Sequence, residues 1–155
     1  MPPELAIRPW AADDVPVLRD LLTAYLHEAP GDLRATERSV DYLLALGLGG
    51  AVLAQPCLVL EADGAVVGFV LWLGTPIPCD TRGVPCQGFG TYLRPAYRRR
   101  GLGALLWDAA LRRAAEIGYT RVVLATYAET TRRGLEAAGF QQTGWVMEAA
   151  CHPPS

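Results

Sequence analysis

The residues of this chain best suited to binding chemistry lie in Leu93-Arg-Pro-Ala-Tyr-Arg98-Arg99-Arg100-Gly101-Leu102-Gly103-Ala104. A strand-like run precedes this segment and an amphipathic run follows, so Arg98-x-x-Gly101-x-Gly103 stands where a helix begins. The first amides of a helix have no partner inside it and point along the positive end of its dipole. Glycine there lets an anion reach the backbone, where a Cβ would block it. Arginines on the approach add charge-assisted hydrogen bonds to the same oxygens. The pattern describes a cradle for a pyrophosphate.

Other phosphate motifs do not fit. Neither G-x-G-x-x-G nor G-x-x-x-x-G-K-[ST] occurs. The arginine run could also be a solvated basic turn or a nucleic-acid contact. The chain carries a formal net charge of −2, which gives no global attraction to a polyanion. There is also no second basic patch and no aromatic interleaving. The basic cluster is local, and a small anionic ligand suits it best.

A length of 155 residues fits one domain, spanning 1–155, with a buried core. Cys57, Cys79, Cys86 and Cys151 form no C-x-x-C, and His27 and His152 have no ligand-like spacing, so no metal site is expected. Without a secretory signal the thiols read as reduced and the location as cytoplasmic. Leu43 to Leu60 is eighteen residues without a charge, long enough to suggest a membrane span. Gly47, Gly49, Gly50 and Gln55-Pro56 would break that helix, so the segment reads as a helix end, a turn and a buried strand.

The elements that must position the cradle follow from periodicity. Leu5 to Pro9 reads as a strand, and an aspartate at 13 or 14 stands ready to cap the next helix. Val15, Leu18, Leu21, Leu22, Tyr25 and Leu26 form its apolar stripe, and a second helix is predicted over 37–48. Strands at about 57–61 and 65–73, joined across Asp63-Gly64, give a hairpin. Another strand covers about 86–93. In the helix after the glycines, Leu102, Leu105, Leu106, Ala109 and Leu111 are expected inside. A strand over 121–126, a helix near 131–138 stopped by Gly139, and a strand over 142–148 complete the order β-α-α-β-β-β-α-β-α-β. That order predicts an α/β (α+β) domain: a mixed sheet with helices on both faces.

These residues resemble the GNAT superfamily of acetyl-CoA-dependent N-acetyltransferases over nearly the whole chain. Ile7-Arg-Pro9 with Asp14 is similar to the family's opening strand and first helix, and Glu61 to Phe69 to its central hairpin. Leu93 to Gly103 is similar to its acetyl-CoA signature, and Gly139-Phe140 to the close of its last helix. The resemblance implies a mostly antiparallel sheet whose central parallel strands are splayed apart by a bulge, with the thioester entering the gap. It implies backbone hydrogen bonds from Thr91, Tyr92 and Leu93 to pantetheine, like an added strand. Arg98, Arg99, Arg100, Gly101, Leu102, Gly103 and Ala104 would hold the pyrophosphate.

The catalytic half departs from the family pattern. Where members often carry an Asn and a Tyr that protonates the leaving thiolate, this chain has Ala128 and Leu135, and a carboxylate base found in some members would fall near Val123. Tyr127 is the first substitute as acid, ahead of Glu129 and Tyr92, while Tyr25, His27 and Glu28 of the first helix and its loop would line the acceptor side. The expected function is acetyl transfer from acetyl-CoA to a primary amine, small or peptidic. The alternatives are a longer acyl group, or a degenerate CoA-binding sensor or interaction module without activity. Neither nucleic acid nor membrane is expected as a partner. The acceptor site would be built by loops 27–36 and 75–85 and the last strand, which carry no portable code. That strand's free edge would also allow a homodimer.

Overall fold

The computed structural model describes residues 1–29, 34–49, 55–74, 85–126 and 128–144. Its strands are β1 (Leu5–Pro9), β2 (Leu58–Ala62), β3 (Ala65–Gly74), β4 (Pro85–Leu93) and β5 (Arg121–Leu124). The α-helices are α1 (Val15–Glu28), α2 (Glu37–Leu48), α3 (Leu102–Ile117) and α4 (Glu129–Ala137). One sheet holds all five strands in the order β1-β2-β3-β4-β5, antiparallel except for the parallel pair β4–β5. Of the expected last strand, residues 142–144 are not in a strand and the remainder lies outside the described residues.

Helices cover both faces of the sheet, by strand alternation with one break at the β2–β3 register shift, where Val66 joins the face of Phe69 and Val67 that of Val70. Phe69 and Leu71 of β3 face α1 and α2, packing with Leu18, Leu22 and Leu43. Val67, Val70 and Trp72 face the other way, against Leu102, Leu106 and Ala110 of α3. Because β3 is covered on both sides, its sequence reads as an unbroken apolar run instead of alternating. No helix among the described residues is long and apolar enough to cross a membrane. Helix α2 ends at Leu48 and β2 begins at Leu58, as the glycines and proline between them require.

The hairpin turn has Asp63 at φ 51° and Gly64 at φ 77°. Positive φ at both central residues is the type I′ geometry that matches strand twist. Two expectations are corrected. The buried stripe of α3 is Leu102, Leu106, Ala110 and Ala114, while Leu105 is 50% exposed. Four-residue steps keep those side chains on one face, and Leu105 lies off it. Asp14 does not cap α1 with its side chain. Its carboxylate instead accepts from both terminal nitrogens of Arg8, at 2.7 and 2.8 Å, and from the Ala11 amide at 2.8 Å. Arg8 also donates to Glu61, so β1, β2 and the start of α1 are tied at one point.

Candidate active site

Strand β4 carries three small or irregular positions in a row, Gly88-Phe89-Gly90. Opposite them the register shifts: Trp72 faces Gly88, and Leu71 faces Gly90. Phe89 is the extra residue of a β-bulge. The parallel pairing with β5 runs only from Pro85 to Gly88, opposite Arg121 to Leu124. Beyond that point β4 continues to Leu93 while β5 departs, so a gap opens between neighbouring strands. This is the splay that the family resemblance implied.

The gap is a cavity of about 620 Å³, reaching from Arg99 and Gly103 at one end to Gln87, Gly88 and Leu124 at the other. One wall is the free edge of β4. Arg94 donates its amide to the Val67 carbonyl, and antiparallel pairs alternate. Tyr92 therefore spends its backbone groups on Phe69 of β3, whereas Thr91 and Leu93 direct theirs toward the gap. Of the three residues expected to meet pantetheine, Thr91 offers both backbone groups to the gap and Leu93 its N–H, the Leu93 carbonyl being taken by Arg98 Nε. Side chains fill the rest of the wall. Trp107 of α3 donates its indole N–H to Thr91 Oγ1 at 3.0 Å. Trp72 also lines the cavity, its indole nitrogen buried and without a hydrogen-bond partner among the described residues.

The start of α3 has the backbone such a cradle needs. Gly101, at φ 76°, is the residue before α3 and provides no side-chain cap, so the amides of Leu102, Gly103 and Ala104 begin the helix without one. A Cβ on Gly103 would meet nothing closer than Leu93 Cδ1 at 3.8 Å, so the protein leaves that space open. Arg99 and Gly103 line the same cavity. An open polar strand edge, uncapped helix amides and adjoining arginine together fit a pantetheine arm ending in a pyrophosphate.

The three arginines separate. Arg98 lines the cavity too, but its guanidinium is committed: Nε donates to the Leu93 carbonyl at 2.8 Å, one terminal nitrogen to Glu28 at 2.7 Å, and the group lies 5.1 Å from the Tyr92 ring centroid. It fastens the end of α1 to the end of β4. Arg100 lies over Tyr97. Tyr92 also donates to Glu28, at 3.4 Å, and its hydroxyl is held above the ordinary phenol value, chiefly by burial.

Of the residues weighed for proton transfer, Leu135 is buried and lines the gap, and Ala128 lines it too. Val123 is 44% exposed. Glu129 is engaged by Arg132 and Arg133, which hold its carboxyl below the usual range. Tyr127 lies outside the described residues. The sequence did not single out Trp107 or Trp72, and the bulge was expected only from the family resemblance, without a position; a Gly-x-Gly inside a strand was the available signal for where it falls.

The sequence profile of the Acetyltransferase (GNAT) family matches residues 18–140. No curated protein sequence matches the chain. Among solved structures, a GCN5-related N-acetyltransferase from Ralstonia eutropha JMP134 superposes with a TM-score of 0.77 at 21% identity, covering 95% of this chain and 99% of that one. A ribosomal-protein-alanine N-acetyltransferase from Brucella melitensis biovar Abortus 2308 gives 0.72 at 21%, covering 96% and 99%. AAC(6')-Iy in complex with the bisubstrate analog CoA-S-monomethyl-acetylneamine gives 0.73 at 21%, covering 97% and 99%.

Proposed function

This chain belongs to the acetyltransferase (GNAT) family, and from that premise we propose that it moves an acetyl group from acetyl-CoA to a primary amine, as a single domain. The observation that carries the reading is the gap between β4 and β5, with a free strand edge along it and uncapped helix amides at its end. Bound acetyl-CoA supplies an activated thioester. The amides of Leu102, Gly103 and Ala104 hold the pyrophosphate, with Arg99 and Arg100 adding positive charge. Thr91 and Leu93 pair with the pantetheine through their backbone, and Arg98 and Tyr92 act by shaping the strand end. Trp107 and Leu135 close the sides against water. Held there, the thioester meets an entering amine at high effective concentration, which by itself accounts for much of the rate.

The acid that protonates the departing thiolate is assigned to Tyr127, two residues beyond Ala125 in the wall of the gap. Tyr127→Phe is predicted to lower turnover about ten-fold or more with acetyl-CoA affinity unchanged. Assays of CoA release beside calorimetry check it, and a variant as fast as the parent would remove Tyr127 from the mechanism.

The apolar Leu135 in the gap wall favours a second reading, a CoA-binding sensor without transfer. A panel of primary amines, assayed for CoA release with purified protein, separates the two. Release with any amine supports the transferase; tight acetyl-CoA binding with no release across the panel supports the sensor.

A further inference from the structure

Tyr25 lies in the last turns of α1, and its ring packs edge-on to Phe69 at 5.9 Å and tilted to Phe89 at 6.2 Å. A phenylalanine would make both contacts. The hydroxyl goes further: it leaves the apolar cluster and donates to the Phe89 carbonyl at 3.2 Å, on the bulge where β5 departs from β4. The next residue, Gly90, makes room for it, since a Cβ there would lie 2.7 Å from the hydroxyl oxygen. Tyr25 and both of these β4 residues line the gap.

The gap is walled from both faces of the sheet. Trp107 and Leu135 border it from α3 and α4, Tyr25 and Ala29 from α1 and its end. A cofactor anchored at the start of α3 occupies the first side, which leaves the α1 side to the acceptor. Chemistry then fixes what the hydroxyl can do. A phenol has one proton, and here the Phe89 carbonyl has it, so toward the gap the oxygen can only accept a hydrogen bond. Burial raises the phenol above its ordinary value, which keeps it neutral.

We propose that Tyr25 receives the acceptor amine, its hydroxyl oxygen accepting an N–H hydrogen bond that aims the nitrogen lone pair at the thioester carbon. The proposal rests on the transferase reading. The amine lone pair forms the C–N bond, the C–S bond breaks with its electron pair going to the CoA sulfur, and one proton passes from nitrogen to that thiolate. Tyr25 holds the remaining N–H and stays neutral throughout. The acceptor must therefore keep an N–H while it attacks, as a primary amine does.

Tyr25→Phe tests this, because it removes one oxygen and keeps the ring. Acetyl-CoA affinity by calorimetry is expected to stay at the parent value, and the melting temperature to fall by only a few degrees, for the one hydrogen bond lost to the Phe89 carbonyl. At saturating acetyl-CoA, kcat/KM for the amine is expected to fall about ten-fold or more, the scale of one lost hydrogen bond of about 1.4 kcal/mol. An unchanged kcat/KM would overturn the role of Tyr25 and leave the transferase intact. A fall matched by an equal loss of acetyl-CoA affinity would overturn it as well, since the hydroxyl would then serve the strand and not the amine. A parent protein that binds acetyl-CoA but acetylates no amine would overturn both readings together.

Discussion

A Gly103→Val protein should fold like its parent and lose at least about a hundred-fold in acetyl-CoA affinity. Folding is spared because the new Cβ meets only Leu93 Cδ1, at 3.8 Å, and valine is no worse a helix former than glycine. Binding suffers because the branched side chain stands over the amides of the first turn of α3. Hydrogen bonds to a charged oxygen contribute about 1.5–3 kcal/mol each, and losing two gives a hundred-fold or more. Gly101→Asp should act by charge: its φ of 76° is one aspartate tolerates, and its carboxylate would repel the pyrophosphate. Arg98→Ala should weaken binding less, because that guanidinium is committed to Glu28 and the Leu93 carbonyl. Calorimetry on variants with parental circular dichroism decides it. Folded Gly103→Val with parental affinity would move the cofactor away from α3.

The largest effect on stability is expected at Arg8. Its partner Asp14 has a side chain only 6% exposed, against 37% for Arg8 itself. Removing the guanidinium leaves a buried carboxylate whose remaining partner is the Ala11 amide. Breaking a buried pair costs about 3–5 kcal/mol; the partial exposure of Arg8 places Arg8→Ala at about 2–3 kcal/mol. For a domain of this size that is roughly 4–12 °C in melting temperature. Arg112→Ala, which removes an exposed partner of Asp108, should change stability by less than about 1 kcal/mol. The pair also sets an acid limit. Hydrogen bonds from Arg8 are the main cause holding the Asp14 carboxyl below its ordinary 3.8. Its stabilisation is complete above that unfolded value and disappears as pH falls through the lower folded one. In Arg8→Ala that acid-dependent increment should shrink. Equal melting of Arg8→Ala and Arg112→Ala would refute the assignment.

Local features of the sequence translated directly into structure. Asp63-Gly64 specifies its turn through two residues able to take positive φ, and the uncapped start of α3 needs only Gly101 and its neighbours. Helix α2 begins at Glu37 because Thr36 caps it, its hydroxyl accepting from the Ser39 amide. Each of these depends on a few consecutive residues, so composition and spacing suffice. The two faces of the sheet were legible for the same reason, since strand alternation and helical stripes are periodic.

What the tertiary structure decided depends on pairs far apart in the chain. Gly88 and Gly90 stand out in a strand, but which residue bulges follows from register against β3, sixteen to nineteen residues earlier. Asp14 looked like a cap until the pairing of β1 with β2 held Arg8 against Glu61, fifty-three residues away, and within 2.7 Å of Asp14. The arginine signature was visible, yet the direction of Arg98 is set by Glu28, seventy residues away. Tyr25 fits an apolar stripe equally well as a core residue or a site residue; only the arrival of the bulge beneath its hydroxyl tells them apart. The sequence by itself determined the glycine-led, uncapped start of α3 and the elements around it, because backbone amides and periodic faces are local. The tertiary structure decided which side chains face the gap, because strand pairing chooses those neighbours and no short stretch of sequence encodes it.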